Sequence, residues 1–255
     1  MDMPGADEIA ESIASHYQPI VDISTGQVVG FEALTRRIAP DGTAQSAGEL
    51  IEKMEKDLGA LSALVYSTMR AIKQDVLPLF QKYPGFYVSV NIPPVVLGTG
   101  KIADILMELE LGPHINRIVC ELTERQVLSE TGRAALAQAR DFGIRIAVDD
   151  FGTGHSGLAQ IVGLDLDILK IDRSLILPVL SNRMASRLLR GVVALASIMH
   201  VRTVAEGVET AEQAFFLNAA GVDYGQGWLW SKALPADKME TALRNGFPRE
   251  LYRNS

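Results

Sequence analysis

Eight short apolar runs recur along the 255 residues, most of them parted by stretches whose apolar residues fall at helical spacing. They are YQPIVDI (17–23), VVGFEAL (28–34), FYVSVNI (86–92), RIVCEL (117–122), IRIAVDD (144–150), LDILKID (166–172), VRTVAEG (201–207) and VDYGQGWLW (222–230). Strand and helix in alternation make a parallel sheet, and eight strands are the number that closes it into a barrel. Only STGQ (24–27) separates the first two runs, too short for a parallel crossover, so these two form an antiparallel hairpin. The expected fold is α/β, a TIM-like (β/α)8 barrel with an antiparallel first strand. No Pro/Gly/Ser-rich linker or charge block divides the chain, so residues 1–255 read as a single domain. Ser46 with Glu49 and Thr210 with Gln213 have the spacing of capping boxes, and Gly221 and Gly246 stand where helices stop.

Composition narrows the function classes. With 47% hydrophobic and 22% charged residues the chain has the balance of a globular protein, and no run reaches the roughly 18 apolar residues of a membrane span. Its acidic, polar start lacks the basic and then apolar pattern of a secretion signal, so the expectation is a cytoplasmic protein without a membrane segment. The net charge of -7 argues against extended nucleic acid as a partner. A lone Cys120 excludes a cysteine metal cluster.

In a barrel of this kind the carboxyl ends of the strands converge on the site. Taken in order, those ends carry Glu32, Asn91, Glu121 with Glu124, Asp149 with Asp150, Lys170, Glu206 with Glu209, and Gln226. The pair in AVDDFGTG (147–154) is the most demanding. Adjacent side chains on a strand point to opposite faces, so both aspartates serve one site only if the chain turns at Asp150, a turn expected from Gly152 and Gly154. Two such close carboxylates also need a cation or a proton between them. Oxygen ligands without histidine or cysteine suit magnesium or manganese. Glu32, Asn91, Glu121, Asp149, Asp150 and Glu206 supply enough oxygens for two ions, with Asp149 as the natural bridge. Paired divalent ions serve phosphoryl transfer, because they clamp the attacking and leaving oxygens and acidify water.

These residues carry a family resemblance. EALTR (32–36), SVN (89–91), ELTE (121–124), DDFGTG (149–154), KID (170–172), AEGVET (205–210) and QGWLWSKALP (226–235) stand in the order of the EAL domain, which the chain resembles from about residue 17 to residue 235. EAL domains are bacterial phosphodiesterases that open cyclic di-GMP to linear pGpG. The resemblance implies two Mg2+ or Mn2+ ions, one held by Glu32, Asn91, Glu121 and Asp149 and the other by Asp149, Asp150 and Glu206. It implies that Lys170 orients or deprotonates the attacking water, with Glu206 the other candidate base. It further implies that Gln226 and Glu209 contact substrate at the rim, that Arg36 meets a phosphate, and that Glu124 braces the loop after Asp150. His155, Gly157 and Ala233 depart from the family pattern without removing a ligand.

Each residue also has a plainer reading. Asp172 and Glu209 each precede a helix and can serve as a cap or N-terminal charge. Arg36 fits a surface ion pair almost as well as a phosphate contact. The histidines 16, 114, 155 and 200 share no ligand spacing, and Cys120 faces the helix layer if Glu121 points inward. Trp228 and Trp230 fall on one face of the last strand, where burial under a helix is the simpler expectation. Two alternatives to an enzyme remain on this fold, a non-catalytic cyclic di-GMP receptor and a protein-interaction module. Family analogy also gives a homodimer, joined beside the stripe Leu158, Ile161 and Val162.

Overall fold

The apolar runs become strands, and their pairing closes on itself. In the computed structural model the described residues are 13–39, 41, 43–54, 57–153 and 162–248. The first hairpin joins β1 (Ile13–Asp22) to β2 (Val28–Ile38) in antiparallel register, with Gln18 opposite Glu32. Asp22 holds the turn between them by accepting from Ser24 Oγ at 2.6 Å and from the Thr25 amide at 2.9 Å. A short strand β3 (Ala44–Ser46) extends β2 on its outer side. Then come β4 (Tyr87–Asn91), β5 (Ile118–Thr123), β6 (Arg145–Phe151), β7 (Ile168–Ile171), β8 (Arg202–Ala205) and β9 (Tyr224–Gly225). Neighbours run β1-β2-β4-β5-β6-β7-β8-β9 and back to β1, a closed barrel of eight strands in which β1 alone is antiparallel to both neighbours.

Helices cover the outside: α1 (Gly48–Met54), α2 (Leu58–Asp75), α3 (Leu77–Lys82), α4 (Pro94–Leu97), α5 (Lys101–Glu108), α6 (Glu124–Val127), α7 (Glu130–Asp141), α8 (Arg173–Ile176), α9 (Arg183–Ile198), α10 (Ala211–Ala219) and α11 (Ala236–Asn245). α9 is amphipathic and buries Leu189, Val192, Val193 and Ala196. No helix of the described residues is long and apolar enough to cross a membrane.

Side chains alternate as strand geometry demands. Val119 joins Ile20, Tyr87, Ala147, Ile168 and Val204 in an apolar plug inside the barrel. Cys120 and Leu122 belong instead to the larger core between strands and helices. Glu121 therefore points inward, above the plug, and Cys120 lies in the helix layer as expected. The plug gives the site a dry floor.

Several local expectations need correction. Gln213 forms the full capping box with Thr210 at the start of α10, but Ser46 ends β3 and accepts only from the Gly48 amide at 3.3 Å. Asp172 caps α8, its carboxylate accepting from the Ser174 amide at 2.9 Å. The run at 222–230 is strand only at Tyr224–Gly225. The indole of Trp230 turns back over Gly225, where a Cβ would come within 2.3 Å of the ring, while Trp228 stays 63% exposed. The two tryptophans thus do not share a strand face. Of the stripe proposed beside the dimer contact, Leu158 and Ile161 lie outside the described residues, and Val162 is exposed.

Candidate metal centre

The strand ends deliver an acidic cluster over the plug. Glu32 comes from β2, Asn91 ends β4, Glu121 lies on β5, Asp149 and Asp150 on β6, and Lys170 on β7. Glu206 and Gln226 stand just beyond β8 and β9. Sheet hydrogen bonding carries on past both strands, from the Glu206 amide to the Ile171 carbonyl at 3.0 Å and from the Gln226 amide to the Ala205 carbonyl at 2.8 Å. Both side chains are thereby fixed on near-strand backbone.

The double aspartate reaches one site through a bulge. Pairing between β6 and β7 slips between Val148 and Phe151, and Asp150 itself takes the left-handed conformation at φ 57°. Its amide donates to Asp149 Oδ1 at 2.8 Å. The turn is therefore made by Asp150 rather than by the glycines after it; Gly152 continues it at φ 107°, and Gly154 lies outside the described residues. Asparagine and aspartate bear this conformation better than other non-glycine residues, so Asp150 fits the bulge as well as supplying a carboxylate.

Two groups of oxygens result. Glu32, Glu121 and Asp149 each offer a carboxylate oxygen, all within 4.8 Å of one another, and Asp149, Asp150 and Glu206 form a second such group. Asp149 is common to both. Asn91 Nδ2 donates to Glu32 Oε1 at 3.2 Å, and Gln226 Nε2 donates to Glu32 Oε2 at 2.8 Å.

Lys170 lies amid these groups with its side chain 2% exposed, its Nζ 2.9 Å from Glu121, 3.3 Å from Glu32, 3.2 Å from Asp149 and 2.8 Å from Glu206. Burial works to strip its proton, but these four carboxylates hold the ammonium well above the usual lysine range. Burial likewise opposes the ionisation of Glu32, yet Lys170 and the donors Gln226 and Asn91 outweigh it and keep this carboxyl low. Burial, joined by repulsion from Glu32, raises Glu121 well above the carboxylate range. Glu206 is pushed up to about 8, first by burial, with Asp149 and Glu32 adding to it against the pull of Lys170. Five carboxylates against one ammonium leave four negative charges if all ionise, a sum this buried site cannot hold without cations or protons.

Two cavities flank the cluster. One of about 350 Å³ is lined by Arg36, Ser46, Ile51, Asn91 and Glu121; the other, about 260 Å³, by Gln18, Glu32, Arg173, Glu206 and Trp228. Leu34 borders both. Arg36 forms no ion pair among the described residues, while Glu209 is held by Arg173 Nη2 at 2.8 Å. Gly207, at φ 64°, allows this, since a Cβ there would meet the Arg173 stem at 2.5 Å. Gln18 and Arg173 escape the sequence reading. A polar residue within the first apolar run and a basic residue directly after KID were the available signals.

Glu124 opens α6 and is 2% exposed, with neither carboxylate oxygen meeting a donor among the described residues. A buried carboxylate without a partner costs stability, so its place needs another reason. Glu124→Gln is expected to leave the unfolding temperature unchanged or higher while lowering turnover about tenfold or more, as for a residue that positions rather than supports. Calorimetry beside a turnover assay checks this; a large fall in unfolding temperature with activity intact would overturn it.

A family model for the EAL domain matches residues 7–233. The chain belongs to the EAL domain family. Among curated relatives of this EAL chain, the probable cyclic di-GMP phosphodiesterase PdeB of Escherichia coli is 35% identical over 228 residues, covering 88% of this chain and 43% of its own. The probable cyclic di-GMP phosphodiesterase PdeN of the same organism is 38% identical, covering 91% and 45%. The chain thus spans less than half the length of either relative. Among solved structures, the PaMucR phosphodiesterase in complex with c-di-GMP superposes with TM-score 0.80 at 27% identity, over 90% of this chain and 94% of that one. The EAL enzyme Bd1971 in its cGMP-bound form gives 0.81 at 28% identity, over 91% and 66%. Klebsiella pneumoniae BlrP1 has been solved as manganese and calcium complexes with cyclic di-GMP, at TM-scores 0.75 and 0.76 and 26% identity, covering 88% and 92% of this chain and 56% and 58% of its own.

Proposed function

We propose that this EAL chain hydrolyses cyclic di-GMP to linear pGpG with two divalent cations, Mg2+ or Mn2+. The observation that carries the reading is the pair of carboxylate groups sharing Asp149, with four negative charges in excess, the charge two divalent ions bring. Glu32, Asn91, Glu121 and Asp149 would hold one ion, and Asp149, Asp150 and Glu206 the other. Such ions polarise a phosphodiester and make water more acidic.

The chain's own residues then have distinct tasks. Lys170, whose ammonium lies among Glu32, Glu121, Asp149 and Glu206, would orient the attacking water by donating hydrogen bonds. Glu206, with 19% of its side chain exposed against 1% for Glu121, would receive the proton. Arg36 and the Arg173–Glu209 pair stand at opposite cavities, where a cyclic dinucleotide spanning the cluster would set its two halves. Gln226, tied to Glu32 through its amide nitrogen, would steady that carboxylate beside the second cavity.

Purified protein with MgCl2 or MnCl2 is expected to convert cyclic di-GMP to pGpG, with calcium supporting binding but little turnover. Chromatography of the products decides. Metal-dependent binding without linear product across a wide pH range makes the protein a receptor, and neither binding nor cleavage leaves an interaction module. Light scattering on the same preparation tests the homodimer.

A further inference from the structure

We propose that Lys170 is a resident counterion that competes with the metal ions for their own carboxylates. Its ammonium touches Glu32, Glu121 and Asp149, the whole of one candidate group, and Glu206 of the other. It cannot retreat. The residue is 1% exposed, and Ile168 of the plug lies two residues behind it on the same strand face.

Two consequences follow from this placement, with opposite signs. Without metal, Lys170 offsets repulsion among carboxylates that would otherwise be buried and unpaired. With metal, the same charge stands a few ångströms from the cations and weakens their hold. Affinity is thereby kept below what so many carboxylates would give, and the empty centre stays folded. This role rests on the two-ion reading but is separate from any part Lys170 plays in turnover.

The test is titration of the metal-free protein with MnCl2 by isothermal calorimetry, beside thermal unfolding with and without the ion. Lys170→Met is expected to bind Mn2+ about tenfold tighter than wild type or more, a conservative expectation for removing a charge at these separations. Its metal-free form should unfold at a lower temperature, and its gain on adding Mn2+ should exceed that of wild type. Lys170→Arg, which keeps the charge, should stay within about threefold of wild type. Tighter binding cannot come from loosened packing, which only weakens a site; equal or weaker Mn2+ binding by Lys170→Met whose circular dichroism matches wild type overturns the proposal. If the methionine variant folds only with metal, it and Lys170→Gln are purified in Mn2+ and challenged with EDTA. Slower loss of the ion than from wild type supports the role, and equal or faster loss overturns it. Wild type that binds no Mn2+ would instead refute the two-ion reading itself.

Discussion

Asp149→Asn is expected to lower cyclic di-GMP turnover by about a thousandfold or more, roughly 4 kcal/mol of transition-state stabilisation. The substitution changes almost no volume, so the loss is one of charge. Asp149 serves both oxygen groups, faces Lys170 at 3.2 Å through Oδ2, and accepts the Asp150 amide through Oδ1. An asparagine that keeps the bond to the Asp150 amide must turn its own amide nitrogen toward the ammonium, donor against donor. Mn2+ stoichiometry should fall together with activity, while circular dichroism stays unchanged. A variant that retains two ions and a tenth of the wild-type rate would remove Asp149 from the bridging position.

The second large effect is on stability. Glu206 holds its proton up to about 8 in the folded protein, against 4.5 for an unperturbed glutamate, and Glu121 is raised as well. Below the unfolded value both states are protonated and the shift costs nothing. Between that value and the raised one the unfolded chain binds fewer protons than the folded one, so stability falls as pH rises. The metal-free protein should lose roughly 5–10 °C of unfolding temperature between about pH 5 and pH 8. Millimolar Mg2+ or Mn2+ should restore it, because bound cations stabilise the ionised carboxylates. Glu206→Gln should flatten the dependence. A metal-free unfolding temperature level across this window, measured by calorimetry, would show that the carboxylates are neutralised by something other than protons or added ions.

What could be read in advance follows from where each signal lives. The barrel strands announce themselves because strands buried on both faces are almost continuous apolar runs, as in Ile144–Val148 and Ile168–Ile171. β3 carries no apolar signal: its three residues, Ala44, Gln45 and Ser46, are exposed, and they are strand only through pairing with Arg36, Arg37 and Ile38 of β2. β2 runs on to Ile38, past the end of its apolar run, because β1 from Ile13 and β3 pair with it there. The turn at Asp150 was placed on the nearby glycines because glycine is the general signal for positive φ; that an aspartate adopts it depends on the bulge against β7. The last run misled through its tryptophans. Aromatic residues at a spacing of two suggest a strand, but the bare backbone of Gly225 lets the indole of Trp230 fold back. The candidate ligands lay at legible strand ends and come together, whereas Gln18 and Arg173 become neighbours of the centre only through register and through a glycine that makes room.

The reversal of β1 has a bearing on control from outside the barrel. In an all-parallel barrel the chain enters the first strand at the floor, opposite the chemistry. Here Ile13 lies across from Arg37, so the chain enters β1 at the mouth, beside the end of β2 that carries Arg36. Any upstream module fused to this strand would pull or press on the rim beside the acidic cluster. A signal need not cross the barrel to be felt there: Gln18 of β1 lies opposite Glu32 and lines the cavity beside the acidic cluster.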